Sequence, residues 1–184
     1  MPRVAEQTKI VTVSQYLEFE ETATDKHEFV DGQVFAMAGA SNPHNRITLR
    51  LAALLLEAET GNCRTFSSDM KLQIGEIYYY PDVLVTCSEI DLGKNAQTRP
   101  CAIIEVLSSS TADIDRGEKW QNYQRLESLK TYVLLDQTKV TAEVFQRLPD
   151  DAWRYEKLEL GSKLKIPCLN LEIALEDIYR GVEF

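Results

Sequence analysis

Residues 77–87 read IYYYPDVLVTC, and the question they raise is why an apolar strand, Val83-Leu84-Val85, should begin with Pro81-Asp82. Proline cannot donate to a sheet ladder, so it is comfortable only at a strand start or an edge. Aspartate is depleted from strands, and an unpaired carboxylate on a buried strand is unfavourable. Taken alone, the pair is a turn, since Pro-Asp punctuates loops. It becomes a site only if a second acid and a base share its surroundings.

The second acid lies in CAIIEVLSSST (residues 101–111). Cys101–Val106 is nearly continuous apolar sequence, as expected of a central strand covered on both faces. Glu105 interrupts it. A buried glutamate is paired, hydrogen-bonded or bound to metal, and a plain salt bridge is the simplest account. Strand alternation sets Ile103, Glu105 and Leu107 on one face and Ile104 and Val106 on the other. If Val83–Cys87 is the neighbouring strand, Asp82 and Glu105 meet near the strand ends. Two such carboxylates repel unless a proton or cation lies between them, and hard divalent ions such as Mg²⁺ suit an oxygen site of this kind.

The base follows in DIDRGEKWQNYQRL (residues 113–126). At about 100° per residue, Lys119 falls between Tyr123 and Leu126, on the side those residues turn toward a sheet. It reads either as a snorkelling stem or an i, i+4 partner of Asp115, or as a cation delivered beside the two carboxylates.

Working outward, Ser14 is a candidate cap for a short helix ending near Thr22. HEFVDGQVFAM has the form of a hairpin turning at Asp31-Gly32. SNPHNRITLRLAALLLEAETG is the clearest helix, with Asn42 as cap, Pro43 in the first turn, an Ile47–Leu51–Leu54–Leu55 stripe and Gly61 as the stop. Strands are expected at Cys63–Phe66, Met70–Ile74, Val83–Cys87, Cys101–Val106, Thr131–Leu135, Ala142–Arg147 and Trp153–Leu158. A helix from about Asp113 to Leu126, capped by Ser110 or Thr111, precedes Thr131 and completes a βαβ unit. The fold class is α/β, a mixed sheet flanked by helices. No repeat or linker divides the chain, which reads as one domain over residues 1–184.

The 184 residues are 44% hydrophobic and 27% charged, as in soluble globular proteins. No apolar run approaches the roughly 18 residues of a membrane span, and MPRVAEQTKI has no signal-peptide core. Cys63, Cys87, Cys101 and Cys168 show no CxxC pairing, so reduced core cysteines, without disulfide or zinc, are expected in a cytoplasmic protein. The net charge of −9, from 29 acids against 20 bases, argues against bulk electrostatic binding of nucleic acid. Any such role requires a local basic patch or metal ions.

Pro81-Asp82 followed by Glu105 resembles the PD-(D/E)XK nuclease superfamily. With HEFVDGQVFAMAGAS, IIEVLSSSTADIDRGEKWQNY, TYVLLD and LEIALEDIY, the chain more specifically resembles the Uma-two family of restriction-endonuclease-like proteins. The resemblance implies a restriction-endonuclease-like fold and a metal-dependent endonuclease hydrolysing DNA phosphodiester bonds. Asp82 and Glu105 would hold Mg²⁺ or Mn²⁺, and Lys119 would be the catalytic lysine, moved to the helix from the usual strand position, here Leu107. It further implies DNA as substrate, and a homodimer is expected. Glu28 matches a family acid and either approaches the site or is a hairpin charge. His44, Asp69, Lys71 and Tyr123 are further candidates, each with a plainer surface or packing role. The alternatives are a catalytically decayed nuclease fold serving as a nucleic-acid-binding or assembly module, and a hydrolase of small phosphoesters. Arg46, Arg50, Arg99, Arg116 and Arg125 discriminate: a basic crescent around the acids favours DNA, dispersal favours the alternatives.

Overall fold

The computed structural model describes residues 11–91 and 94–184, so the signal-peptide reading of residues 1–10 lies outside it. Helix α1 (Val13–Thr22) begins at Thr12, whose Oγ1 accepts the Gln15 N–H while Gln15 Oε1 accepts the Thr12 N–H. This reciprocal pair satisfies two end amides, which Ser14, with Leu17 three residues on, cannot do. Strands β1 (His27–Val30) and β2 (Gln33–Ala36) form the expected hairpin, with Asp31 and Gly32 both at positive φ, as a two-residue turn requires. Helix α2 (Asn42–Glu57) is capped by Ser41, one residue before the expected Asn42, through the His44 N–H.

Among the described residues, eleven strands follow in two groups around the helical crossover. The first group is β3 (Arg64–Ser67), β4 (Lys71–Ile74), β5 (Ile77–Tyr79), β6 (Val83–Thr86), the short β7 (Ala96–Gln97) and β8 (Pro100–Leu107). The crossover consists of α3 (Ala112–Ile114), a π-helical turn (Asp115–Lys119) and α4 (Trp120–Tyr123). The helix expected over 113–126 is present as one continuous run from Ala112 to Tyr123, widened by the π-helical turn in its middle, and it ends three residues early. Its last turn tightens, with Arg125 and Leu126 bonding to carbonyls three residues back. Beyond it come β9 (Thr131–Asp136), β10 (Thr141–Arg147) and β11 (Trp153–Glu159), then β12 (Lys163–Ile166), β13 (Leu171–Ala174) and α5 (Leu175–Ile178).

The six-stranded sheet has the order β11-β10-β9-β8-β6-β3, with β8 and β9 parallel and the other pairs antiparallel. A second sheet has the order β2-β1-β5-β4-β7, and β12 pairs with β13. Side-chain alternation sorts the central strands between two cores. Val83, Val85, Ala102, Ile104, Val106, Val133 and Leu135 join Ile47, Leu51 and Leu55 of α2. Leu84, Ile103, Leu107, Tyr132 and Leu134 face Tyr79, Leu72 and Tyr123. Glu105 belongs by alternation to this second face.

The expectation of reduced cysteines without disulfides is overturned. Cys63 is bonded to Cys87 and Cys101 to Cys168. Pairing of β3 with β6, Arg64 opposite Thr86, brings Cys63 beside Cys87 however far apart they are in sequence.

The position of the first cap is testable. Thr12→Ala should lower stability by about 1 kcal/mol in urea denaturation, and Ser14→Ala should change it little. The reverse order would place the helix start at Ser14.

Candidate functional site

The register of β6 against β8 pairs Val83 with Ile104, which sets Asp82 opposite Glu105 at the end of the ladder. The two acids interlock through the backbone. The Asp82 N–H donates to Glu105 Oε2 at 3.0 Å, and the Val106 N–H donates to Asp82 Oδ2 at 2.7 Å. Pro81 fits here because the chain enters the strand at this point. The Asp82 amide and carboxylate bond to β8, and its carbonyl accepts the Ser68 N–H just beyond β3, so none of these bonds closes a turn at Pro81-Asp82.

Behind this pair lies a buried ion cluster. Lys119, 6% exposed, donates to Glu105 Oε1 at 3.0 Å and stands 3.3 Å from both Glu28 Oε1 and Asp115 Oδ1. Tyr123 donates to the same Glu105 oxygen at 2.7 Å, and the Tyr80 N–H reaches Glu28 Oε1 at 3.4 Å. Tyr132 holds the Asp115 carbonyl at 3.0 Å, and the Tyr79 ring lies 5.7 Å from the ammonium. Toward solvent, His44 Nε2 is 3.1 Å from Asp82 Oδ2, with the two side chains 15% and 17% exposed. The site therefore has a sealed inner part around Lys119 and a partly open mouth at Asp82 and His44.

Burial pushes the Glu105 carboxyl up to about 7. Lys119 opposes that shift, the Asp115 and Asp82 charges add to it, and Tyr123 again opposes it. For His44 burial is the largest influence and pulls its pKa down. The hydrogen bond and charge of Asp82, with Glu105 and Asp115 behind, outweigh burial and leave it raised. Among the described residues, four carboxylates (Glu28, Asp82, Glu105 and Asp115) gather around the Lys119 ammonium and the His44 imidazole. Hard oxygen donors are the right type for Mg²⁺ or Mn²⁺, so the residues fit such an ion. The holders would be Asp82 and Glu105.

Of the residues singled out in the sequence, Glu28, His44, Asp82, Glu105, Lys119 and Tyr123 come together. Both readings of Lys119 hold in part, since it is buried against the sheet and also pairs with Asp115 at i, i+4. Asp69 does not line this cleft. It lies in the turn before β4, exposed, and pairs with Lys26. Lys71 sits over the Tyr80 ring at 5.5 Å, one residue removed from the cluster. Asp115 as a site member, and Tyr79 and Tyr80 beside it, were missed. The i, i+4 spacing to Lys119 was the available signal for Asp115. Three of the five arginines are set apart from one another. Arg116 pairs with Glu143 of β10, Arg50 donates to the Asp177 carbonyl of α5, and Arg125 lies close to Gly75.

The raised Glu105 pKa has a signed consequence. Between the ordinary 4.5 and about 7 the folded state binds more protons at this group than the unfolded state. Its contribution to stability therefore falls as pH rises through that window. In chelator-treated protein, urea midpoints across this range should fall less steeply for Glu105→Gln than for the parent. Identical slopes would show that Glu105 does not titrate there.

A family model, Uma2, described as "Putative restriction endonuclease", matches residues 13–176. Uncharacterized protein slr1290 of Synechocystis sp. is 37% identical over 175 residues, 92% of each chain. Uncharacterized protein sll1609 of the same organism is 41% identical over 165 residues, covering 86% of this chain and 93% of that one. The crystal structure of a "putative nuclease belonging to DUF820" from Anabaena variabilis superposes with a TM-score of 0.75 at 16% identity, over 92% of this chain and 97% of that one. That likeness shows that the two chains share one mixed α/β fold. By the match across nearly its whole length, the chain belongs to the Uma2 family.

Proposed function

We propose that this protein is a metal-dependent endonuclease that hydrolyses DNA phosphodiester bonds at the Asp82–Glu105 pair. The observation that carries the proposal is the pairing of two acids across adjacent strands, with the Glu28 and Asp115 carboxylates gathered behind them. A divalent ion bound there would supply charge neutralisation and water activation. Lys119 and Tyr123 fix one oxygen of Glu105 and the Asp82 amide fixes the other, so the carboxylate is preorganised. His44 is the basic group nearest solvent, and it serves the attacking water or the leaving oxygen more readily than the enclosed Lys119. The lysine holds the acids together and meets substrate only if Glu105 turns away from it.

A second reading, a nuclease fold that binds or assembles without cutting, is favoured by the separation of Arg116 from Arg50 and by the enclosure of Lys119. The two readings separate in a plasmid-nicking assay with Mg²⁺ and Mn²⁺. On the endonuclease reading Mn²⁺ raises the melting temperature, Asp82→Asn removes that gain, and Glu105→Gln abolishes nicking. His44→Ala should keep the fold and slow nicking by roughly 10²–10⁴, the scale of general acid–base catalysis. Lys119→Met should lower stability by about 3–5 kcal/mol, because it leaves three buried acids without their cation. A metal-dependent thermal gain without nicking leaves the binding-module reading in place, and no thermal gain at millimolar Mn²⁺ removes the metal site itself.

A further inference from the structure

The four cysteines form a second constellation, at the opposite ends of the strands that carry Asp82 and Glu105. Cys87 follows β6, and by alternation it shares the face of Val83 and Val85. Cys101 is next to the start of β8. Strict alternation would send it to the other face, beside Ile103. Instead the β6–β8 register slips between Val85 and Thr86: Ala102 faces Val85 and Pro100 faces Thr86, leaving Cys101 as the extra residue. Such a bulge re-aims a side chain, and Cys101 joins the same core as its neighbour Ala102. Cys63 arrives from the start of β3, and Cys168 from the 3-10 turn Pro167–Leu169 between β12 and β13.

Cys87 Sγ stands 3.8 Å from Cys101 Sγ, across the two disulfides. The sulfurs of Cys87, Cys101 and Cys168 all lie within 4.8 Å of one another. Cys63 Sγ and Cys87 Sγ are each 3.8 Å from the Cys168 carbonyl. In a tetrahedral zinc site with Zn–S bonds near 2.3 Å, neighbouring sulfurs are about 3.8 Å apart. We propose that Cys63, Cys87, Cys101 and Cys168, when reduced, form a tetrathiolate site for a soft divalent cation of the zinc class. A dithiol reductant supplies two electrons and two protons to each disulfide, giving four thiols and two equivalents of its own disulfide. Cation binding then displaces the four thiol protons. The surroundings suit a closed structural site. Cys63 is buried, the face is apolar, and the Arg64 guanidinium donates to the Cys63 carbonyl at 2.6 Å, next to the two negative charges the site would carry. Thiolates select zinc over the hard cations that suit the carboxylates, so the two sites take different metals.

Cobalt(II) is the probe. Full-length protein is reduced with a dithiol, desalted anaerobically, checked for four free thiols and titrated. One cobalt per chain, with sulfur-to-cobalt charge-transfer and intense tetrahedral visible bands that zinc bleaches, is expected. Altering an outer partner of a zinc ligand weakens binding 10–100-fold, so Cys168→Ser, which removes a ligand, should weaken it more than about 100-fold. Asp82→Asn should leave the bands unchanged, which separates this site from the carboxylates. The oxidised protein should show no bands. Absence of bands in reduced, folded protein, or bands indifferent to Cys168→Ser, would overturn the proposal. So would unfolding on reduction that zinc does not reverse.

Discussion

The arrangement depends on one buried ammonium. Lys119 sits among Glu28 of β1, Glu105 of β8 and Asp115 of the π-turn, and so connects both larger sheets to the crossover helix. Placing these charges out of water is expensive, and their mutual attraction offsets this only where geometry and extra hydrogen bonds are good. Tyr123 and the Tyr80 amide supply such bonds, and Tyr132 fixes the backbone at Asp115. Removing any one acid leaves the lysine partly compensated, whereas removing the lysine leaves three acids facing one another. That asymmetry makes Lys119 the constraint and the acids its dependants. A π-turn in the middle of the crossover accords with it: such turns are frequent at functional sites, and this one carries both Asp115 and Lys119.

The outer half obeys a different constraint. Asp82 is held by amides and an imidazole and not by the lysine, and it is the more exposed of the two paired acids. Its position follows from strand register alone, because a one-residue slip of β6 against β8 would send it to the opposite face. His44 reaches it from the first turn of α2, whose start is set by the Ser41 cap. The mouth of the site is thus assembled by a strand end and a helix end, while its interior is assembled by charge.

What could be read from the sequence follows the same division. Features governed by local rules were legible: the Asp31-Gly32 hairpin, the buried face of α2, the odd glutamate in an apolar strand, and the side of the crossover that Lys119 occupies. Each depends on spacing within a few residues. Features governed by tertiary pairing were not. Strands β5 and β12, three and four residues long, are too short to announce themselves, and the π-turn at Asp115–Lys119 answers to carboxylates from elsewhere in the chain. Asp69 and Lys71 were further candidates, but Asp69 lies in the turn before β4, where strand alternation cannot aim it. The cysteines show the limit most plainly. Sequence separations of 24 and 67 carry no pairing signal until β3, β6 and β8 are laid side by side.

Strands β6 and β8 therefore carry chemistry at both ends. From Asp82 to Cys87 is five residues, roughly 16 Å of extended chain, so the carboxylates and the sulfurs do not touch. They are nonetheless joined by one register. Cross-links at the sulfur end tie Cys87 of the β6 end to the start of β3, and Cys101 of β8 to the turn before β13. The bulge at Cys101 absorbs the one-residue mismatch there, so that Val83 still meets Ile104 and Asp82 still meets Glu105 at the far end. Without it, the same sequence would bring either the sulfurs or the acids onto a common face, but not both. The acid pair is thus set locally by two amide hydrogen bonds and, along the strand, by an irregularity whose reason lies at the sulfur end.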